Sequence, residues 1–336
     1  MTCQRRPLDL TLTVERFPYR KPFRISGHVF EETAVLVAEI SDGEHSGRGE
    51  GAGVYYLGDD IQNMMRQAES VREAVAAGAT RKELQGLLPA GGARNALDCA
   101  YWDLEAKREG QPVWKLAGLG EPRALPSTLT LGADAPQVMA EAALALDPEA
   151  PVKIKLTGDL EDDTARLKAL RRARPDAWMG VDANQGYDLA GLRKLIPVLL
   201  DTGIAQLEQP LARGREADLA EVERPLPFVA DESALTLADT AGLVGRFDIV
   251  NIKLDKCGGL TEGLAIARRA RDLGLEVMVG NMMGTSLSMA PSYLVGQLCD
   301  VVDLDGPTFL AADRTPGVSY RNGKIHCPEG IWGSPN

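Results

Sequence analysis

From Leu125 to Asp305 the chain repeats one event at a spacing of about 25 residues. A short apolar run closes on a residue able to do chemistry, and a helical stretch follows. The closing residues are Thr130, Lys155, Asp182, Glu208, Asp231, Lys253, Gly280 and Asp303. One strand, one helix and two short connections need roughly that length. Eight such units predict a parallel barrel, and the C-terminal strand ends of a barrel share one mouth. Residues distant in sequence then face one pocket.

Three carboxylates close consecutive strands: Asp182 in VDANQGY, Glu208 in LEQP and Asp231 in ADES. Oxygen ligands at that density suit Mg²⁺, which takes few protein ligands and keeps positions open for water or substrate. A single acid at a polar barrel mouth would mean little. Three at the repeat period, interleaved with lysines on otherwise apolar strands, point to a metal centre. Lys153 and Lys155 share a face of VKIKL, because strand side chains alternate with period two. Lys253 and Lys256 lie at the end of DIVNIKLDK, with Lys256 expected in the following loop. Asn184 and Gln185, just past the first acid, are placed to steady the ligands by hydrogen bonds.

Residues 1–122 lack the repeat and read as an α+β domain. Two strands, 8–17 and 33–40, flank a loop, PFRISGHVFEE. A glycine-punctuated third strand runs into GRGEGAGVYYLGDD. This is no nucleotide fingerprint, since no βαβ unit surrounds it. Its glycines suit turns and a mobile lid carrying Tyr55 and Tyr56. Helices are expected over 60–77, 81–88, 93–108 and 114–119. Tyr101 and Trp102 read as core, and Asp98 and Asp103 as surface or interdomain contacts. GLGEPRALP is a linker. The barrel takes residues 123–310, with its first strand over 125–131 and helices over 135–146, 162–174, 189–200, 216–223, 236–243 and 260–273. Residues 311–336 form a separate tail, in which Gly323 divides two runs able to pair as a hairpin.

The net charge of -11 argues against nucleic acid or an anionic membrane as partner. No run of apolar residues is long enough to span a bilayer, and the N-terminus lacks a signal-peptide core, so a cytoplasmic protein is expected. Cysteines at 3, 99, 257, 299 and 327 are odd in number and form no CxxC, which predicts reduced thiols. Histidines at 28, 45 and 326 do not cluster, so a His-based zinc site is not expected.

The ordered set KIK, DANQ, LEQP, ADES, NIKLDKCGGLTEG and DLDGP, together with LPAGGARNALDCAYWDLEAK, resembles the enolase superfamily. The likeness is to its muconate-lactonizing-like subgroup, and within that to the dipeptide epimerases. It runs over nearly the whole chain. It implies an α/β fold: a modified TIM barrel, (β/α)7β, with an N-terminal α+β capping domain completed by the C-terminal tail. It also implies one Mg²⁺ per subunit on Asp182, Glu208 and Asp231, a small dipeptide substrate and a homo-oligomer.

The chemistry implied is 1,1-proton transfer. A carbon acid beside a carboxylate is very weak, so its deprotonation needs a nearby base and stabilisation of the enediolate charge by the metal. Two bases on opposite faces make an epimerase. The resemblance assigns them to Lys155 and to the last lysine of the KLxK element, Lys256. A neighbouring ammonium lowers a lysine pKa, and Lys153 is placed to do this for Lys155. Asp303 and Asp305 of DLDGP match an Asp-x-Asp that receives the substrate's α-ammonium. Thr130 is implied as a substrate contact, and Asn281 and Ser286 of NMMGTSLS join it at the mouth. Two capping loops, around 22–31 and 52–59, are implied to choose the substrate. In the Ala-Glu enzymes an arginine in the first loop reads the glutamate carboxylate. Here the position matched to that reader holds no arginine, and Arg24 is the nearby candidate. The implied activity is epimerisation of the C-terminal residue of L-Ala-D/L-Glu. The alternatives are other L-Ala-Xaa or apolar dipeptides, or an N-acylamino-acid racemase or cycloisomerase of the same superfamily.

Overall fold

A computed structural model describes residues 6–25 and 28–335, without the side chains of 24, 25 and 28. The N-terminal part opens on a three-stranded antiparallel sheet, Asp9–Ile25, His28–Ser41 and Ser46–Ala52, in sequence order. Leu10, Leu36, Ala38 and Ile40 bury one face against the helices Ile61–Ser70 and Gly92–Glu109, where Met64, Ala68, Ala93, Leu97 and Leu104 meet them. The segment expected as a loop is instead the extended end of this hairpin. Phe23 pairs with Phe30 and Arg24 with Val29 beyond an irregularity between Pro18 and Phe23. Backbone pairing carries the strands past the point where the apolar alternation stops. The helix expected over 60–77 breaks at Val71, giving Ile61–Ser70 and Arg72–Ala76.

The helix Gly92–Glu109 lies almost directly on the third strand because Gly47, Gly49 and Gly51 present no side chains. A Cβ on Gly49 would stand 2.1 Å from the Ala96 carbonyl oxygen. Tyr101 and Trp102 on this helix are core residues, as expected. Asp98 and Asp103 are the interdomain contacts of the two expected alternatives, and both are buried: Asp98 accepts from the Thr261 backbone N–H of the barrel at 2.9 Å, and Asp103 from that of Gly333 in the tail at 2.8 Å.

The barrel strands are Leu129–Leu131, Val152–Lys155, Met179–Asp182, Gln206–Glu208, Phe228–Ala230, Ile249–Ile252, Glu276–Val279 and Val301–Val302. They pair in parallel and in sequence order. The seam between first and last is joined by the Thr128 N–H, which donates to the Val302 carbonyl at 2.9 Å. Val152 and Ile154 pack outward into the large core while Lys153 and Lys155 alternate with them, as period two requires.

The expected first strand, 125–131, divides. Leu125–Pro126 pairs with the tail strand Lys324–His326, and only Leu129–Leu131 enters the barrel. Two of the outer helices shrink to short 3₁₀ segments, Glu216–Glu221 and Thr240–Leu243. The seventh helix, Ser286–Gly296, carries no periodic signal because every residue in it is buried. Lys256 lies in a short helix, Leu254–Cys257, rather than a loop.

The tail hairpin pairs Ser319–Arg321 with Lys324–His326. Beyond it, the Trp332 indole donates to the Arg48 carbonyl at 2.8 Å. The chain therefore ends against the sheet that it began with. Cys99, Cys257, Cys299 and Cys327 are free thiols, and Cys3 lies outside the described residues. Among the described residues no helix is long and apolar enough to cross a membrane.

The glycine strip gives a direct stability test. Gly49→Ala should cost about 1–3 kcal/mol, because neither backbone can yield. Gly86→Ala has open space around it and should be neutral or stabilise by about 0.4–1 kcal/mol. Chemical denaturation of the two variants beside the parent checks the contrast.

Candidate active site

The strand register sets the site. Lys155 pairs with Asp182 and Asp182 with Glu208, so these residues stand level around the mouth, and Asp231 follows the next strand. Asp182, Glu208 and Asp231 are fully buried, and one carboxylate oxygen from each lies within 4.8 Å of the others. Lysines surround them. Lys153 Nζ is 3.3 Å from Asp182, 2.7 Å from Glu208 Oε2 and 2.9 Å from Asp303. Lys155 Nζ donates to Asp182 Oδ2 at 2.6 Å, and Lys253 Nζ to Asp231 Oδ2 at 2.6 Å. Asn251 Nδ2 donates to Glu208 Oε1 at 2.8 Å. Glu208 Oε2, although at ion-pair distance from Lys153, has no hydrogen-bond geometry with any partner.

Burial and these charges compete. Burial raises the Asp182 carboxyl, but Lys155 and then Lys153 overcome it and bring it down to about 2. Asp231 is held well below the usual carboxylate range: burial opposes this, and Lys253, Lys256 and Lys153 outweigh it. Glu208 goes the other way. Burial, then the Asp182 charge, push it up to about 7 against the pull of Lys153. Glu232, next to Asp231, is pushed up to about 8 by burial and by the charges of Asp231 and Asp182. Burial disfavours the Lys253 ammonium, yet Asp231 more than compensates, so Lys253 sits above the ordinary lysine range.

Above the charges is a cavity of about 570 Å³ between barrel and N-terminal sheet. Thr130, Lys153, Lys155, Asp231, Asn281, Asp303 and Asp305 line it, as the sequence led us to expect. Phe23, Phe30, Tyr55 and Tyr56 close the other side, where Phe30 meets Tyr55 edge-on at 5.5 Å. Asp303 accepts from Thr128 Oγ1 at 2.5 Å and is held low because Lys153 outweighs its burial. Asp305 accepts the Thr130 N–H at 2.6 Å, and burial and then the Asp303 charge push it up to about 7. Asn281 Nδ2 donates to the Asp303 carbonyl at 2.7 Å.

Asp182 and Glu208 lie buried beneath the cavity without lining it, and two further expected site residues, Lys256 and Ser286, also do not reach it. Lys256 is sealed: its Nζ donates to Asp231 Oδ1 at 2.5 Å, the Asp231 carbonyl at 2.6 Å and the Asn251 carbonyl at 3.0 Å. The helical turn after the sixth strand points it back beneath Asp231. Lys253, at the strand end itself, is the lysine that faces the cavity. The repeat spacing had already marked that position. Ser286 is bonded to the tail, giving its hydroxyl to Asp313 and accepting the Val318 N–H at 2.8 Å. The Arg24 side chain lies outside the described residues. Glu232 was missed, although it directly follows Asp231 in ADES and also lines the cavity.

Residues 137–331 match the family described as Enolase C-terminal domain-like, and residues 8–118 match the Mandelate racemase / muconate lactonizing enzyme, N-terminal domain. The chain belongs to the enolase superfamily. Within this superfamily it is similar to the L-Ala-D/L-Glu epimerase of Escherichia coli (strain K12), with 39% identity over 93% of this chain and 97% of the relative. A solved enolase family member from Agrobacterium tumefaciens, with homology to dipeptide epimerases and bound sodium and L-Ala-L-Glu, superimposes with a TM-score of 0.94. It is 39% identical, covering 97% of this chain and 100% of that one. The dipeptide epimerase from Methylococcus capsulatus, complexed with Mg and L-Arg-D-Lys, gives a TM-score of 0.89 at 31% identity, covering 97% and 99%.

The residues present fit such a metal. Three buried carboxylates converge, all donors are oxygen, and Glu208 keeps an oxygen without a hydrogen-bond partner. Protons compete with a cation for Glu208 below its raised value of about 7. Mg²⁺ affinity, measured calorimetrically, should therefore climb from about pH 5.5 to about pH 8 with proton release, then level off. Glu208→Ala should weaken binding throughout and flatten that slope.

Proposed function

We propose that this enolase-superfamily protein is a Mg²⁺-dependent dipeptide epimerase. It inverts the Cα of the C-terminal residue by two-base proton transfer, with L-Ala-D/L-Glu as leading substrate. One observation carries the reading. Lys155 and Lys253 both face the cavity from the second and sixth strands, four strands apart in an eight-stranded barrel.

Asp182, Glu208 and Asp231 would hold the cation, which would supply positive charge to the substrate carboxylate as Cα loses its proton. Lys155 takes the proton from one face, and Lys253 returns one to the other. Each lysine now leans on a proposed ligand, Asp182 or Asp231, at 2.6 Å. Were Asp231 to serve a cation, the Lys253 ammonium would lose the counter-charge that holds it above the ordinary lysine range, and its neutral form would become more accessible. Lys256 holds the Asp231 backbone and carboxylate in place rather than touching substrate. Asp303 and Asp305 would receive the α-ammonium, which favours a free-amine dipeptide over an N-acylated amino acid. Thr130 and Asn281 steady that pair, through the Thr130 N–H to Asp305 and Asn281 Nδ2 to the Asp303 carbonyl.

In deuterated water, Lys155→Ala and Lys253→Ala should each lower net epimerisation by roughly 10²–10⁴-fold. Each should still exchange the Cα proton of one epimer, and the two variants should retain opposite epimers. Net epimerisation by Lys253→Ala at the parent rate would defeat the two-base reading.

A broader or apolar dipeptide is the second reading, favoured by the aromatic wall of Phe23, Phe30, Tyr55 and Tyr56. A dipeptide panel separates the two. L-Ala-L-Glu should exchange faster than L-Ala-L-Leu or L-Ala-L-Phe, and Arg24→Ala should slow the glutamate substrate selectively, by about tenfold or more. Faster exchange on the apolar dipeptides would favour the second reading.

A further inference from the structure

Asp255 stands between the two lysines of NIKLDK and faces away from the chemistry. It is 5% exposed and does not line the cavity. Its Oδ1 accepts the Ala52 backbone N–H at 2.8 Å and Asn95 Nδ2 at 2.8 Å. Both donors belong to the N-terminal part, more than 150 residues away in sequence. Ala52 ends the third strand, and the Tyr55 and Tyr56 segment of the cavity wall leaves directly from it. Asn95 sits in the first turns of Gly92–Glu109 and also reaches the Glu50 carbonyl at 3.3 Å.

Asp255 also shares a helical turn with Lys253. Lys253 is the N-cap of the turn Leu254–Cys257, and its carbonyl accepts the N–H groups of Lys256 at 3.0 Å and Cys257 at 3.2 Å. These bonds close the turn around Asp255, so a shift of Asp255 moves the backbone that carries Lys253. The grip continues beyond it. Arg94 donates to the Gly258 carbonyl at 3.2 Å and to that of Cys257 at 2.5 Å. The strand bearing Lys155 has no such tie: among the described residues no hydrogen bond joins residues 152–158 to residues 6–118.

We propose that Asp255 is a positioning residue through which the N-terminal domain sets the reach of Lys253 but not of Lys155. The cap is then part of one base's support as well as the wall of the cavity. The inference rests on Lys253 being one of two bases.

Proton exchange read separately on the two substrate epimers tests it, because a general loss of stability slows both faces alike. Lys253→Ala first identifies the epimer whose exchange depends on that lysine. Asp255→Ala should slow exchange of that same epimer by roughly 10–100-fold, since misplacement on the scale of an ångström costs about that much. The other epimer should change by less than about threefold. Asp255→Asn keeps an acceptor at Oδ1 and should restore the parent ratio. Asn95→Ala removes one of the two ties and should shift the ratio the same way by a smaller factor. It decides the matter if Asp255→Ala does not fold. An unchanged ratio in these variants would overturn the inference and leave both bases standing. Parent-level epimerisation by Lys253→Ala would instead overturn the reading beneath it.

Discussion

Buried like charge is the constraint on which this molecule depends. Asp182, Glu208 and Asp231 are brought together out of water, where three carboxylates repel one another and none can be solvated. Lys153, Lys155, Lys253 and Lys256 neutralise the cluster from three sides. Burial and then the neighbouring carboxylates push Glu208 and Glu232 toward their protonated forms, while the lysines outweigh burial and keep Asp182 and Asp231 ionised. An arrangement of this kind is poor at stabilising a fold and well suited to exchanging its lysines for a divalent cation. The apolar shell outside the barrel supplies the stability that the centre does not.

The N-terminal sheet and the tail complete the site by a different kind of contact. A strip of glycines lets the helix Gly92–Glu109 lie against the third strand, and buried polar side chains on both elements then reach the barrel loops. Glu50 is one such link: it accepts the Thr285 N–H at 2.7 Å and pairs with Arg314 of the tail. Glu50, Asp98 and Thr285 are buried and satisfied across the boundary, so losing one partner would strand another. The aromatic wall over the cavity hangs from the same strand. Cover and catalytic floor are therefore held by one network.

The eightfold repeat was legible because strand ends with polar residues interrupt long apolar runs, and the periodicity survives whatever the outer helices do. The three acids, and Lys153 and Lys155, were legible for the same reason. Hairpin length, the two 3₁₀ segments and the helix Ser286–Gly296 were not. The first depends on backbone pairing beyond the apolar alternation. The 3₁₀ segments bury too little to hold an α-helix: only Leu219 in Glu216–Glu221, and Thr240 and Leu243 in Thr240–Leu243. The helix is buried on every side and so has no polar face to give it a period.

Lys253 and Lys256 mark the boundary between what the two levels decide. Sequence alone determined that two lysines follow the sixth strand, that they neighbour an acid, and that their strand stands across from Lys155. The repeat spacing marked Lys253 while the resemblance chose Lys256, so which of them faces the cavity was left open. Three residues separate them, and whether that interval is loop or helical turn decides where each Nζ goes. The tertiary structure settles it by winding Leu254–Cys257 into a turn pinned to the N-terminal domain. That sends Lys256 under Asp231 and leaves Lys253 at the cavity, because a side chain's direction follows from backbone contacts made with residues some two hundred positions away.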